Sequence, residues 1–297
     1  MRNQHAHWHG FLIATAAIIV SVMCAAAASA QDEDTEENKY RWYFTTELAA
    51  VWTSGNSESN TLGLAATARR EWPKHELRFA LGGAQTESSL KTRTAVGTGQ
   101  DDFQLYEEKV TEKTAEIFYA RGRYDYKFSK RFVFFGGVDW MRNRFAGIES
   151  RFLTAVGAGN TWSDRDDLKF NTNYGVTYTF EEEVVSNPFH NANFPGLRLA
   201  YDLWWQMTKT TEFVSIFIAD WNFDNTSDVR IDFLNELPVT IAGQLKFKPA
   251  LQIFWRNDPA LAEVALTAPD GSPTDEKVFT PLDELDTLFT VSLVWKR

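Results

Sequence analysis

Asp286-Thr-Leu-Phe-Thr-Val-Ser-Leu-Val-Trp-Lys-Arg297 ends the chain. In an extended backbone, Phe289, Val291, Leu293 and Trp295 share one face, and Thr290, Ser292 and Val294 share the other. A period of two makes a sheet surface with one apolar and one more polar side. A closing transmembrane β-strand needs the same pattern, with the aromatic at the interface and aliphatics over the hydrocarbon band. A soluble sheet can also end this way, so the stretch decides the fold only if the chain repeats it.

The repeats are there. Leu168–Phe180 is the cleanest, with Leu168, Phe170, Tyr174, Val176 and Tyr178 opposite Lys169, Asn171, Asn173 and Thr177. Gln244–Trp255 sets Leu245, Phe247, Leu251, Ile253 and Trp255 against Lys246, Lys248 and Gln252. Similar segments begin at Arg41, Asn60, Glu76, Thr114, Arg131, Arg151, Gly196, Glu212 and Asp228. With the closing strand this makes about twelve, many near the ~9–11 residues that cross a bilayer when tilted. Tight turns at Pro73, Lys130, Asp164, Thr210 and Gly243 alternate with more variable connections. The latter lie near Gly55, over Ser88–Lys113, near Gly147, over Glu181–Pro195, near Asn225 and over Arg256–Leu285. Ser88–Lys113 reads as an aperiodic polar excursion, and Arg256–Leu285 as a long proline-punctuated loop. Short turns on one rim and longer loops on the other predict an all-β fold: a transmembrane antiparallel up-and-down β-barrel of about twelve strands over residues 40–297. Its seam joins the closing strand to Tyr40–Trp52.

Bulk composition agrees. Lys+Arg is 30 against Asp+Glu 40, a net charge of -10 that argues against nucleic acid as a partner. Mean hydropathy is -0.34, which excludes a helical membrane protein but not a barrel, where only alternate residues meet lipid. Residues 1–30 read as a signal peptide, with an apolar run at Phe11–Met23 and Ala28-Ser29-Ala30 before the cleavage point. Residues 31–39 read as a disordered acidic lead. Cys24, the one cysteine, leaves with the signal, so no disulfide or thiol ligand is expected.

The second face of the strands carries charge of both signs: Glu47, Arg69, Arg78, Arg121, Arg123, Asp125, Asp139, Asp202, Asp220, Arg230, Asp232, Glu236, Lys246 and Lys248. Arginine or lysine at a bilayer midplane costs roughly 2–4 kcal/mol, so these residues are assigned to the lumen. There they either fill and rigidify the barrel or bias passing solutes. Trp42, Trp52, Trp140, Trp205, Trp221, Trp255 and Trp295 sit near strand ends and read as lipid-facing or girdle residues. No catalytic, cofactor or metal site is expected. His75 and His190 fall at opposite rims, and Ser186 and Glu183 near His190 make a poor hydrolase cluster. Glu181-Glu182-Glu183 reads as solvated loop charge.

The opening hairpin, Glu47-Leu-Ala-Ala-Val-Trp-Thr-Ser-Gly-Asn-Ser-Glu-Ser59, resembles the start of the salt-induced outer-membrane protein family, a YdiY-like group named for a domain of unknown function. That resemblance implies a Gram-negative outer-membrane barrel without assigned activity, and it carries over no site residue. Expected partners are outer-membrane lipid and, during biogenesis, the barrel-assembly machinery. Lys296-Arg297 follows Trp295 where outer-membrane barrels usually end on an aromatic, a departure that implies either weaker recognition by that machinery or tolerance of the extension. The functional expectation is a structural barrel or a passive pore for small solutes or ions. A receptor or adhesion module using the long loops is the alternative, and a hydrolase a distant one.

Overall fold

The computed structural model describes residues 42–53, 57–99, 102–187, 190–267, 269 and 273–296. The signal peptide, the acidic lead and the turn at Gly55 lie outside the described residues, as does the Trp52 side chain.

The alternating segments are strands: β1 (Trp42–Thr53), β2 (Ser57–Glu71), β3 (His75–Gly99), β4 (Asp102–Lys127), β5 (Phe132–Asn143), β6 (Ile148–Asp164), β7 (Leu168–Glu183), β8 (Asn193–Gln206), β9 (Glu212–Asn222), β10 (Val229–Glu236), β11 (Val239–Ala242), β12 (Leu245–Arg256), β13 (Leu261–Thr267), β14 (Pro273–Pro281) and β15 (Leu285–Lys296). From β1 to β10 each strand pairs antiparallel with the next; β10 then pairs with β12, β12 with β15, and β15 with β1. These twelve strands form a closed barrel with no free edge. At the seam, Leu48 lies opposite Leu293 and Thr46 opposite Trp295, joining the two strands that the sequence pattern predicts.

Three expectations are corrected. Ser88–Lys113 is no irregular excursion: β3 and β4 stay paired antiparallel from His75–Tyr126 out to Gly99–Asp102, with register shifts at Thr86/Glu87 and Gly97/Gly99. Its Thr- and Ser-rich composition hides the alternation because both faces of a ribbon beyond the barrel can be polar. Arg256–Leu285 holds a second hairpin, β13–β14, paired from Leu261–Pro281 to Thr267–Pro273. The predicted strand Asp228–Ile241 divides at Leu237-Pro238, because proline has no N–H for the ladder.

Side-chain parity follows closure. Outward positions carry exposed apolar groups on every side, among them Phe289 (68 %), Val156 (60 %), Val176 (56 %) and Leu48 (52 %). Inward positions are buried and frequently charged: Glu76, Asp125 and Lys248 are each below a tenth exposed. Phe135, Leu153 and Ala155 form a small apolar cluster inside the ring. Glycines make room where strands cross closely. A Cβ on inward-facing Gly157 would be driven into Tyr174 O and Gly175 Cα on β7, whereas one on outward-facing Gly136 would meet nothing within 4 Å. Gly157→Val is expected to lower stability by about 1–3 kcal/mol through overpacking, while Gly136→Ala leaves the urea midpoint unchanged; equal midpoints for the two variants would refute this placement.

Candidate functional site

A contact between strands that are not neighbours in the ring has to run through its interior. The structure has many. Arg198 of β8 donates to Asp220 of β9 at 2.7 Å and, across the ring, to Asp139 of β5 at 2.7 Å. Arg121 of β4 lies 3.2 Å from Asp139 and 3.6 Å from Asp232 of β10, on the opposite wall. Gln252 of β12 donates to Asp232 at 2.6 Å. Lys248 of β12 joins Glu236 at 2.6 Å and Glu47 of β1 at 2.7 Å. Towards the short-turn rim, Arg123 of β4 donates to Asp125 and to Asn173 Oδ1 of β7 at 2.8 Å; Asn173 in turn donates to Asp202 at 3.0 Å. Arg69 and Arg78 both bind Glu76, and Arg78 lies 3.8 Å from Asp125. Lys246 pairs with Glu212 at 2.5 Å. The guanidinium of Arg123 also lies 4.2 Å above the ring of Phe135, a cation–π contact in a desolvated place.

Every residue assigned to the lumen from its strand phase is therefore engaged by a partner. Sequence reasoning missed several partners. Arg198, the partner of Asp220, follows the polar phase of β8 and was legible from it. Glu76 lies on the same phase at the start of β3. Glu181 was obscured by the assumption that β7 ends at Phe180; the strand continues to Glu183, and Glu181 keeps the inward phase of Thr177 and Thr179. It is buried rather than solvated loop charge, and it takes Arg230 of β10 and Arg256 of β12 as partners.

This second cluster lies at the long-loop mouth. Asp228 accepts from Arg230 at 2.5 Å, from Arg256 at 3.2 Å and from the Asn222 amide at 3.2 Å. Burial alone would raise the Asp228 carboxyl; the hydrogen bonds and charges of Arg230, with Arg256 and Asn222, outweigh it and hold the group at about 2. His190 lies 3.0 Å from Asp258 and 3.6 Å from Glu183. Beyond Asp258 the chain crosses the mouth. Ala260, almost fully buried, packs on Gly147 in the β5–β6 turn, which faces β12 and β15 from across the ring. Gly147 has φ 73°, and a Cβ there would strike Ala260. A cavity of about 290 Å³ lies at this rim, lined by residues that include Glu183, Ser186, His190, Asp228 and Arg256. Ser186 and His190 line it together, and among the described residues no hydrogen bond joins them. His75, at the other rim, meets the Tyr124 hydroxyl at 2.5 Å.

The tryptophans fall at two levels. Trp42, Trp205 and Trp295 lie at the short-turn ends of their strands, where Trp162, 64 % exposed, joins them. Trp140, Trp221 and Trp255 lie at the long-loop ends. Trp140 donates to Ser150 Oγ and Trp221 to the Thr226 carbonyl, so each has a polar handle at its rim.

Comparison with known proteins places residues 46–265 under a family model described as "Protein of unknown function, DUF481". Curated proteins returned no similar sequence. Solved structures with a similar shape include a KdgM porin (9% identity, TM-score 0.38, covering 85% of this chain and 98% of that one). A Pseudomonas aeruginosa FadL homologue is similar at 10% identity and TM-score 0.36, over 86% of this chain and 75% of that one. The translocator domain of the autotransporter NalP from Neisseria meningitidis is similar at 9% identity and TM-score 0.35, over 96% and 97%. No residue role is carried over from these distant likenesses.

The Asp228 cluster predicts an acid response. Its folded pKa of about 2 lies below the unfolded value of ~3.9. Its contribution is therefore complete above pH ~4 and is lost as pH falls through about 2, roughly 2–3 kcal/mol in all. Urea unfolding of the wild type should weaken over that window, and Asp228→Asn should remove this acid component; an unchanged pH profile in the variant would refute it.

Proposed function

We propose that this chain, which belongs to the DUF481 family of proteins of unknown function, is a Gram-negative outer-membrane barrel with a plugged lumen and a structural role. One observation carries the reading: a hydrogen bond from Arg123 to Asn173 and the ion pairs Arg121–Asp232, Arg198–Asp139 and Arg230–Glu181 tie non-neighbouring strands together through the interior. A conducting pore needs a continuous water path, and these side chains occupy it.

The membrane assignment rests on the outer surface. Exposed Phe, Val and Leu recur on the outward face of strand after strand, which soluble monomers rarely show. Leu245, level with Trp295, and Trp255 lie at opposite ends of β12. At ~3.3 Å per residue they are roughly 33 Å apart along the strand, or about 25 Å in height at the usual ~40° tilt. That height matches the apolar band of outer-membrane barrels. Export by a cleaved signal, insertion by the barrel-assembly machinery and the absence of enzymatic activity belong to the same proposal, as does placement with the salt-induced, YdiY-like members on the hairpin Glu47–Ser59. The receptor alternative keeps one specific observation: β3 and β4, 25 and 26 residues long, run well past the 12 residues of β5 and make a ribbon beyond the long-loop rim.

Planar bilayers test the plug. The wild type should insert without sustained current, and the combined variant Arg121→Ala, Asp139→Ala, Arg198→Ala, Asp232→Ala should give stable open steps. Sustained conductance by the wild type would overturn the structural reading in favour of a passive pore.

A further inference from the structure

On the outer face one line of cross-strand neighbours runs from Trp42 of β1 through Arg70, Leu77, Tyr124 and Val156 to Trp221 of β9. Its two ends are tryptophans of the two girdles. Strands ~4.8 Å apart and tilted ~40° make each step along such a line climb roughly 3 Å, so the eight steps from β1 to β9 climb roughly 25 Å. That is the height of an outer-membrane apolar band. The line therefore starts at the short-turn girdle, and Arg70 stands one step from its start.

A charge is unusual at that height. On β4, β6 and β8 the same girdle is occupied by Phe128, Trp162 and Trp205, all exposed. The cross-strand neighbours of Arg70 are Trp42 and Leu77, and the adjacent carboxylates Glu71 and Glu76 face the lumen, where Lys127, Arg69 and Arg78 hold them. The Arg70 guanidinium lies 4.9 Å from the Trp72 ring and 5.8 Å from the Trp42 ring, so two indoles keep the cation at girdle height. Beside it, His75 of β3 packs on Tyr126 at 5.4 Å and on Tyr124 at 5.8 Å, which extends the aromatic surface. A guanidinium does not deprotonate in proteins, and it pairs with phosphate through two parallel hydrogen bonds. At the girdle a bilayer presents phosphate.

We propose that Arg70, with Trp42 and Trp72, forms a docking site for the phosphodiester of one phospholipid in the leaflet on the short-turn side. The lipid's chains then lie against the exposed aromatic surface around Tyr124 and Phe134. The site rests on the membrane reading of the outer surface and is independent of whether the lumen conducts.

Native mass spectrometry of the full chain tests this, with release from detergent micelles that hold equal amounts of phosphatidylglycerol and diacylglycerol. The two lipids can carry the same chains, and only the first has a phosphodiester. The wild type should retain one phosphatidylglycerol in preference to diacylglycerol. Arg70→Gln should lower that retention about fivefold, which corresponds to the ~1 kcal/mol attraction of one basic residue to an anionic lipid surface. Arg70→Lys should keep most of it, and Arg131→Gln, in the exposed β4–β5 turn of the same rim, should change nothing. Equal retention of the two lipids by the wild type, retention unchanged in Arg70→Gln, or an equal loss in Arg131→Gln would each overturn the site. If Arg70→Gln fails to fold, the wild-type preference and its survival in Arg70→Lys decide. A chain that does not enter bilayers would overturn the membrane reading and the site together, whereas one that inserts without this lipid preference would overturn the site alone.

Discussion

A closed ring of strands encloses every side chain of one parity, and whatever charge is placed there must be neutralised from inside. That constraint organises this molecule. Backbone closure through β10–β12, β12–β15 and β15–β1 leaves no edge at which an inward charge can reach solvent sideways. Neutralisation then has to come from facing walls. Arg198 reaching from β8 to Asp139 on β5, and Lys248 reaching from β12 to Glu47 on β1, are consequences of the closure rather than additions to it. Removing one partner of such a buried pair is expected to cost about 3–5 kcal/mol, since it strands the other charge.

The same constraint explains why the polar interior and the function are hard to separate. Ion pairs that hold opposite walls together also occupy the path that a solute would take. The mouth repeats the arrangement at the long-loop rim, where Arg230 and Arg256 gather Glu181, Glu183 and Asp228, and where the strap through Ala260 rests on Gly147. Glycine at 147 is set by both its left-handed φ and the approach of the strap.

Much of the fold was legible because closure makes parity a strict code. The phase of Leu168–Phe180 places Tyr174 and Val176 outward and Asn173 and Thr177 inward, and the register with β6 and β8 keeps that division. The seam was legible for the same reason. What was hidden lay where parity stops carrying information. β3 and β4 continue past the barrel, so their outer halves face no apolar medium and show no alternation. Pro238 interrupts β10 and β11 without disturbing the hydrophobic phase around it. Pairings across the lumen, such as Arg121 with Asp232, depend on which strands stand opposite one another, and that follows from the number of strands and their stagger rather than from any local stretch. Cross-strand neighbours mislead here as well: Arg151 and Glu181 face each other in the ladder, yet Glu181 turns to Arg230.

The central claim is that the barrel is tied shut through its middle, and the Arg198–Asp139 pair tests it most directly. It joins β8 to β5 at 2.7 Å with both side chains largely shielded. A double-mutant cycle with Arg198→Met and Asp139→Leu, read by reversible urea unfolding in lipid vesicles, should give a coupling free energy of roughly 0.5–3 kcal/mol. Additive single-variant effects, with no coupling between the two positions, would contradict the account.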